Sequence, residues 1–276
     1  MLISKLESLP NGVPPFLRWA GSKRRLLPTL RKYWKSSHQR YLEPFAGSAC
    51  LFFDLNPPKA ILGDLNSDLI EMYIEVKYRL DAVMKELRKF TPTDQEAYLS
   101  LRAADPEKLT SAQSAARFIY LNRFCFNGIY RTNSKGQFNV PYGGARSGQV
   151  PDLAIFQNCA RRLRKASFVK GDFEKVLSKA KRGDLVYMDP PFAVKARRVF
   201  KEYNPAAFGD SDIKRLRSRM LNLNRGKINF VVSYAESDEA DLLRKGFDYE
   251  TVQVRRNIAG FAASRALTNE IIISNF

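Results

Sequence analysis

The sequence contains very few of the side chains that usually bind metals or act as nucleophiles. It has one histidine, His38, and three cysteines, Cys50, Cys125 and Cys159, which show no metal-type spacing. With a single histidine and no metal-type cysteine pairing, neither a zinc site nor a His-based triad is expected, and no metal is expected. The odd cysteine count indicates a reducing compartment. Catalysis would therefore depend on carboxylates, backbone groups, aromatic rings and amides.

Other familiar signals are also missing. No apolar run is long enough to cross a bilayer, and residues 1–13 lack the apolar block of a signal peptide. Acidic residues are outnumbered, with 28 against 46 Lys and Arg, for a net charge of +18. Because 45% of the residues are hydrophobic and can fill a core, this composition predicts a folded, soluble protein that binds a polyanion, most simply nucleic acid.

Strand and helix patterns divide the 276 residues into three segments. Residues 16–68 alternate strands and helices, residues 69–151 are helical and end in a loop rich in Gly, Asn and Arg, and residues 152–276 alternate again. Alternation predicts an α/β fold with a mostly parallel, doubly wound sheet. The last two strands are too close in sequence for a helical crossover, which predicts a terminal antiparallel hairpin. We therefore expect residues 1–68 and 152–276 to form one domain into which residues 69–151 are inserted.

Individual elements follow from the same patterns. Strands are predicted at 60–64, 168–170, 185–188, 228–233, 249–254 and 270–274, and one more leads into Glu43. A basic helix is predicted to start near Lys23, and further helices are predicted at 51–55, 69–90, 112–122, 152–165, 173–181, 206–222 and 236–245.

The corner Asp189-Pro190-Pro191-Phe192 is the feature most indicative of chemistry. It directly follows the apolar residues 185–188, so an acid, two prolines and a ring stand at the end of a strand. Proline has no N–H and a fixed φ, so the corner is rigid and the carbonyls before the prolines stay free to accept hydrogen bonds. Such a corner suits a planar group with an amino donor, such as a nucleobase. Taken alone, it would fit a structural turn equally well, because Asp and Pro are ordinary turn residues.

A second turn, Glu43-Pro44-Phe45-Ala46-Gly47-Ser48-Ala49, follows a strand and opens a helix. Small residues allow a ligand to approach the backbone closely, and open α/β sheets bind ligands beyond the carboxyl ends of their strands. Asp64 ends the next strand, where an acid can hold the two hydroxyls of a ribose. The phosphate-binding patterns G-x-x-x-x-G-K-[ST] and G-x-G-x-x-G are absent. The expected cofactor is therefore S-adenosyl-L-methionine rather than NAD or ATP.

Five ordered sequence blocks then point to one family. They are FLRWAGSK (16–23), EPFAGSA (43–49), GDLNSDL (63–69), LNRFCFNGIYRTNSKGQFNVPYGG (121–144) and MDPPF (188–192). Together they resemble the Dam-type, D12 class adenine-specific DNA methyltransferases, above all the GATC methylases of type II restriction-modification systems. The resemblance implies a Rossmann-like methyltransferase core with a helical target-recognition domain at 69–151. It also implies a double-stranded DNA partner and a cytoplasmic protein of a bacterial or phage-infected cell. We expect a monomer, with a dimer left open.

The resemblance assigns roles to individual residues. The catalytic residues would be Asp189, Pro190, Pro191 and Phe192. The cofactor-binding residues would be Trp19, Lys23, Phe45, Gly47, Asp64, Asp172, Phe173 and Asp189. The DNA-binding residues would be Phe126, Asn127, Ile129, Arg131, Lys135, Pro141 and Arg146, with Arg131 reading a guanine. Two positions depart from the family: Ala49 replaces a usual glycine, and Phe192 replaces a usual tyrosine.

These residues suggest how an amino group could be methylated. The Asp189 carboxylate and the Pro190 carbonyl would accept the two amino hydrogens and align the nitrogen for in-line attack, while Phe192 would stack on a base flipped out of the duplex. Aspartate before the two prolines favours adenine by family usage. Methylation of the cytosine amino group, methylation of adenine in RNA, and a non-catalytic DNA-binding relative remain alternatives.

Overall fold

The architecture is known from a computed structural model, which describes residues 12–90, 94–133, 135–191, 208–255 and 267–276. Within these ranges, seven strands form one sheet. The strands are β1 (Arg40–Glu43), β2 (Ala60–Asp64), β3 (Ala166–Lys170), β4 (Asp184–Met188), β5 (Asn229–Ala235), β6 (Asp248–Arg255) and β7 (Leu267–Ser274). Their order across the sheet is β3-β2-β1-β4-β5-β7-β6.

Helices cover both faces of this sheet. In the described part of the chain they are α1 (Leu27–Leu30), α2 (Cys50–Leu55), α3 (Ser67–Leu87), α4 (Gln95–Ala103), α5 (Ser111–Phe124), α6 (Leu153–Leu163), α7 (Glu174–Leu177), α8 (Asp210–Arg225) and α9 (Asp238–Arg244). On one face, α2, α3 and α6 share a core with inward side chains of the strands; on the other face, α7, α8 and α9 do the same. All five residues of β4 are buried, as expected for a parallel strand covered on both sides.

The predicted fold class is confirmed. Strands β3, β2, β1, β4 and β5 pair in parallel, and β7 pairs antiparallel with both β5 and β6. The result is a Rossmann-like α/β fold with a terminal antiparallel hairpin. One helix of the described residues, α4, was not among the predicted elements. It spans only nine residues and buries only Tyr98, and helical periodicity is recognised over windows of about 11–18 residues.

The sheet order reverses between β1 and β4, which are direct neighbours. Ligands of open α/β sheets bind at such a reversal, beyond the carboxyl ends of the strands. The turn after β1 begins with Pro44, and the corner after β4 begins with Asp189. The fold therefore brings the two turns singled out by sequence to the same edge of the sheet.

Residues between β2 and α6 form a helical layer beside this edge. Helices α3 and α5 pack against each other, and α5 begins with a capping box formed by Thr110 and Gln113. The loop after α5 folds back on itself through two antiparallel bridges, Cys125 to Tyr142 and Thr132 to Phe138. No helix among the described residues has both the length and the apolar character needed to cross a membrane.

Candidate active site

Asp189 lies at the carboxyl end of β4 in a hydrogen-bonded, largely buried position. Its side chain is 22% exposed, and its Oδ1 accepts a hydrogen bond from Ser233 Oγ at 3.0 Å. The Tyr187 hydroxyl lies 2.8 Å from the same Ser233 oxygen. Burial raises the pKa of Asp189, while the Lys23 ammonium opposes this shift. Asp189 is thus a partly desolvated acid whose charged form depends on a neighbouring cation.

That cation, Lys23, is itself buried, with only 6% of its surface exposed. Its Nζ lies 3.1 Å from Asp189 Oδ1 and 3.5 Å from Glu270 Oε2. Glu270 belongs to β7 and was not anticipated from sequence, because it looks like an ordinary strand residue. The strand register brings it close, since Glu270 pairs with Ala235 at the end of β5.

The turn after β1 packs tightly against Trp19. Gly47 has a φ of 46°, and a Cβ at this position would lie 2.8 Å from Trp19 Nε1, so only glycine fits without a shift. The Tyr73 hydroxyl donates to the Gly47 carbonyl at 2.8 Å. Asp64 joins the turn to β2, because its Oδ2 accepts from the Gly47 N–H at 3.0 Å. The sequence does not indicate this hydrogen bond between Gly47 and Asp64. The Asp64 carboxylate retains lone pairs that a ligand can use.

Glu43 is a second unforeseen acid of this edge. It is buried, and its Oε2 has no hydrogen-bond partner among the described residues. Burial raises the pKa of Glu43 well above its usual range, and the nearby Asp189 and Asp64 act in the same direction. The protonated carboxyl is therefore favoured.

Aromatic rings gather at the other end of the site. Phe45 stacks on Phe173 with ring centroids 5.3 Å apart, and the edge of Phe208 meets Phe45 at 5.8 Å. Beside them, Asp172 Oδ1 accepts from Arg215 Nη2 at 2.8 Å. The Arg215 guanidinium also lies 4.9 Å from the centre of the Phe173 ring. This end has the flat apolar surface and the acceptor that a purine ring and its amino group require.

Most of these groups line one cleft of about 1130 Å³, whereas Tyr73, Arg215, Ser233 and Glu270 are not part of its lining. The predicted cofactor residues Trp19, Lys23, Phe45, Gly47, Asp64, Asp172 and Phe173 lie on it together with Asp189, Pro190 and Pro191. Phe192 lies outside the described residues. The cleft thus unites residues from seven separate stretches of sequence.

One of the predicted DNA-contacting residues, Arg131, lines the same cleft beside Tyr130 and Thr132. Arg131 is exposed, and its Nε donates to Asn139 Oδ1 at 2.9 Å, which holds the guanidinium across the hairpin-like loop. Lys135 is exposed and lines a neighbouring cavity. The lysine and arginine thus stand on adjoining parts of one loop.

The remaining predicted DNA residues lie on the same loop but not in the lining of the cleft. Phe126 and Asn127 form a single 3-10 turn that ends at Gly128, with Asn127 at a φ of 55°. Ile129 follows this turn, and Pro141 is exposed. The backbone of Arg146 lies in a second short 3-10 turn.

Comparison with known proteins identifies relatives over nearly the whole chain. The family model described as D12 class N6 adenine-specific DNA methyltransferase matches residues 19–258. The Type II methyltransferase M1.LlaDCHI of Lactococcus lactis subsp. cremoris is 34% identical, with 95% of each chain covered. The DNA adenine methylase of Haemophilus influenzae is 29% identical, covering 99% of this chain and 98% of that one. The Type II methyltransferase M.MjaIII of Methanocaldococcus jannaschii is 31% identical, covering 89% and 93%.

Proposed function

Because the chain belongs to the D12 class N6 adenine-specific DNA methyltransferases, we propose that its cleft uses S-adenosyl-L-methionine to methylate the N6 amino group of an adenine flipped out of duplex DNA. The family makes the chain an adenine-specific DNA methyltransferase. The proposal adds the methyl donor, the flipped base and the recognition sequence 5′-GATC. The observation that carries it is that Asp189, the Gly47 turn and Arg131 line one cleft.

The described residues fit S-adenosyl-L-methionine. Asp64 would bind the ribose hydroxyls, and the Phe45 and Phe173 rings, with Asp172, would bind the adenine ring and its amino group. The Trp19 ring packs where a Cβ of residue 47 would lie, so the glycine allows Trp19 to line the cleft beside this turn. When bound, the cofactor supplies an electrophilic methyl group.

The acidic corner would then orient the target amine. The Asp189 carboxylate and the Pro190 carbonyl would each accept one hydrogen from N6, which directs the nitrogen lone pair toward the methyl group. Lys23 favours the carboxylate form of Asp189. As the N6–methyl bond forms, the bond from the methyl group to sulfur would break and a neutral thioether would leave. The proton that N6 then loses would pass to the Asp189 carboxylate or to solvent. Pro191 would keep the corner rigid, and Phe192 would stack on the extruded base.

Residues 69–151 would act as the target-recognition domain. Arg131 would read guanine in the major groove through its two parallel donors, a pairing that suits the guanidinium. Phe126, Asn127 and Ile129 would fill or flank the space left by the flipped base, and Pro141 would contact the thymine methyl. Lys135 and Arg146 would bind phosphates. The protein would act as a cytoplasmic monomer.

The test is to incubate GATC-containing duplex DNA with the protein and S-adenosyl-L-methionine, and then to digest the DNA with a nuclease blocked by adenine methylation at GATC. We expect protection, and mass spectrometry of the nucleosides should show N6-methyladenine. An Asp189→Ala protein should give no protection; wild-type protection by this variant would refute the proposed role of the corner. N4-methylcytosine, or methylation of RNA only, would replace the proposal by the corresponding alternative.

A further inference from the structure

Tyr130 lies between the part of the cleft assigned to the cofactor and the helical layer. Its ring stacks on Trp19, with centroids 6.1 Å apart and planes 18° from parallel. It also stacks on Phe118, at 5.3 Å and 27°. We refer to Trp19, Tyr130 and Phe118 as the aromatic column.

Both ends of the aromatic column are fixed. Trp19 packs on the Gly47 turn, as described above, and Phe118 is buried on α5. The Tyr130 hydroxyl donates to Asp68 Oδ2 at 3.0 Å, and Asp68 lies in the first turn of α3, four residues after Asp64. The Tyr130 ring is therefore connected to the Gly47 turn through Trp19, and its hydroxyl is connected to the start of α3 through Asp68.

The neighbour of Tyr130 in sequence is Arg131, the proposed reader of guanine. Tyr130 and Asp68 line both the cleft and the adjoining cavity that contains Lys135 and Asn139. Because the chain passes directly from the stacked ring to Arg131, the position of the arginine backbone depends on where the column holds residue 130. The Asn139 bond then orients the guanidinium.

We propose that Tyr130 is a positioning residue whose aromatic column joins the Gly47 turn to the loop that carries Arg131. A substitution at the cofactor end of the column would then alter guanine discrimination, and a substitution at the other end would alter cofactor binding. The inference rests on the proposed function, since it takes Arg131 as the reader and S-adenosyl-L-methionine as the cofactor. It predicts reciprocal effects, as required of two sites that share one coupling free energy.

The experiment measures two quantities in four variants. The first is the affinity for S-adenosylhomocysteine, a non-reactive cofactor analogue, determined by calorimetry. The second is the ratio of affinities for a GATC duplex and a duplex in which the guanine is replaced, determined with saturating analogue. The variants are Trp19→Ala, Phe118→Ala, Tyr130→Phe and, as a control, Phe90→Ala, which removes a ring that packs on Tyr120 away from the cleft.

We expect each substitution at one end of the aromatic column to change binding at the other end. Phe118→Ala should weaken analogue binding about tenfold although Phe118 does not line the cleft, and Trp19→Ala should lower guanine discrimination about tenfold. Tyr130→Phe keeps the rings and should change either quantity by no more than about threefold. Phe90→Ala should change neither. If Phe118→Ala does not fold, Phe118→Leu, which keeps the bulk and removes the ring, takes its place.

Wild-type analogue affinity in the Phe118 variant, together with wild-type discrimination in the Trp19 variant, would overturn the proposal. So would equal losses in Phe90→Ala, because these would reflect general loosening of the helical layer. Failure of the proposed function gives a different result: the wild-type protein itself would bind no analogue or would not distinguish guanine.

Discussion

At the scale of single residues, the charge of Asp189 depends on Lys23. The proposed reaction needs the carboxylate, and burial raises the pKa of Asp189 while Lys23 is the largest influence that lowers it. Activity should therefore fall as pH drops through the raised pKa of Asp189, at a pH above the usual range of aspartate. Glu270 also raises the pKa of Asp189. The charge of Asp189 in turn raises the pKa values of the buried Glu43 and Tyr187.

Lys23→Met removes the positive charge and should raise the pKa of Asp189 further. The acid limb of the single-turnover rate profile should move to higher pH, and the maximal rate should also fall because Lys23 lines the cleft. The control is Lys89→Met, which removes an exposed partner of Glu86 far from the sheet edge. An acid limb that stays at the wild-type pH in the Lys23 variant would show that another group controls the profile.

Arg131 gives the second prediction at this scale. Arg131→Ala should reduce discrimination between the GATC duplex and one with a replaced guanine by about 1–3 kcal/mol, because a bidentate contact to guanine is lost. Lys135→Ala is the matched control on the same loop and should weaken binding to both duplexes equally. Competition binding measures both. An even loss across sequences in the Arg131 variant would make Arg131 a phosphate contact.

Single residues also show where sequence reasoning reaches its limit. Asp64 and Asp189 could be found because each directly follows an apolar strand, and such positions meet at one sheet edge. Ser233 and Glu270 lie within strands, where neither spacing nor composition marks them. Only the register of β5 and β7 brings them to Asp189 and Lys23.

At the scale of elements, the backbone at the start of α2 shows why alanine is an unusual residue at position 49. Ala49 precedes the helix with φ 50° and ψ 37°, a left-handed conformation that favours glycine. The family glycine is therefore explained by backbone geometry at the helix start. Most strands could be predicted from sequence, because short apolar runs form strands without any special backbone conformation. Helix α4 could not, because it spans only nine residues and buries one side chain.

Ala49→Gly should leave the free energy of unfolding within about 1 kcal/mol of wild type. Relief of the left-handed conformation gains about 1–2 kcal/mol, but greater freedom of the unfolded chain and loss of a buried methyl together cost a similar amount. Ala49→Val should cost more than about 2 kcal/mol, because a branched side chain suits neither the conformation nor the fully buried site. Denaturant unfolding compares the three proteins. Equal stability of the valine variant would contradict this account of the turn.

At the scale of the whole molecule, the cleft and the net positive charge of the chain would serve two different tasks. Under the proposed function, base reading would depend on a few groups around Arg131, whereas the excess of positive charge, from 46 basic against 28 acidic residues, would act on the phosphate backbone of any sequence. The core, in contrast, is continuous from the sheet into the helical layer: Phe16, Tyr73, Phe118 and Phe156 belong to one buried cluster. Under the proposed function, a continuous core of this kind would keep Arg131 at a constant distance from Asp189.

The division of tasks predicts the response to salt. Affinity for the GATC duplex and for a scrambled duplex should both fall steeply as salt rises, with similar slopes of about −0.9 per phosphate contact on logarithmic axes, because the same lysines and arginines bind both backbones. The difference in binding free energy between the duplexes should then change little with salt.

Lys135→Ala should reduce both slopes by about one, while Arg131→Ala should shrink the difference in binding free energy between the duplexes. Anisotropy titrations over a range of salt concentrations measure all of these. If the slope for the GATC duplex were close to zero, the net charge of +18 would have no part in binding DNA, and recognition would have to rest on contacts with the bases alone.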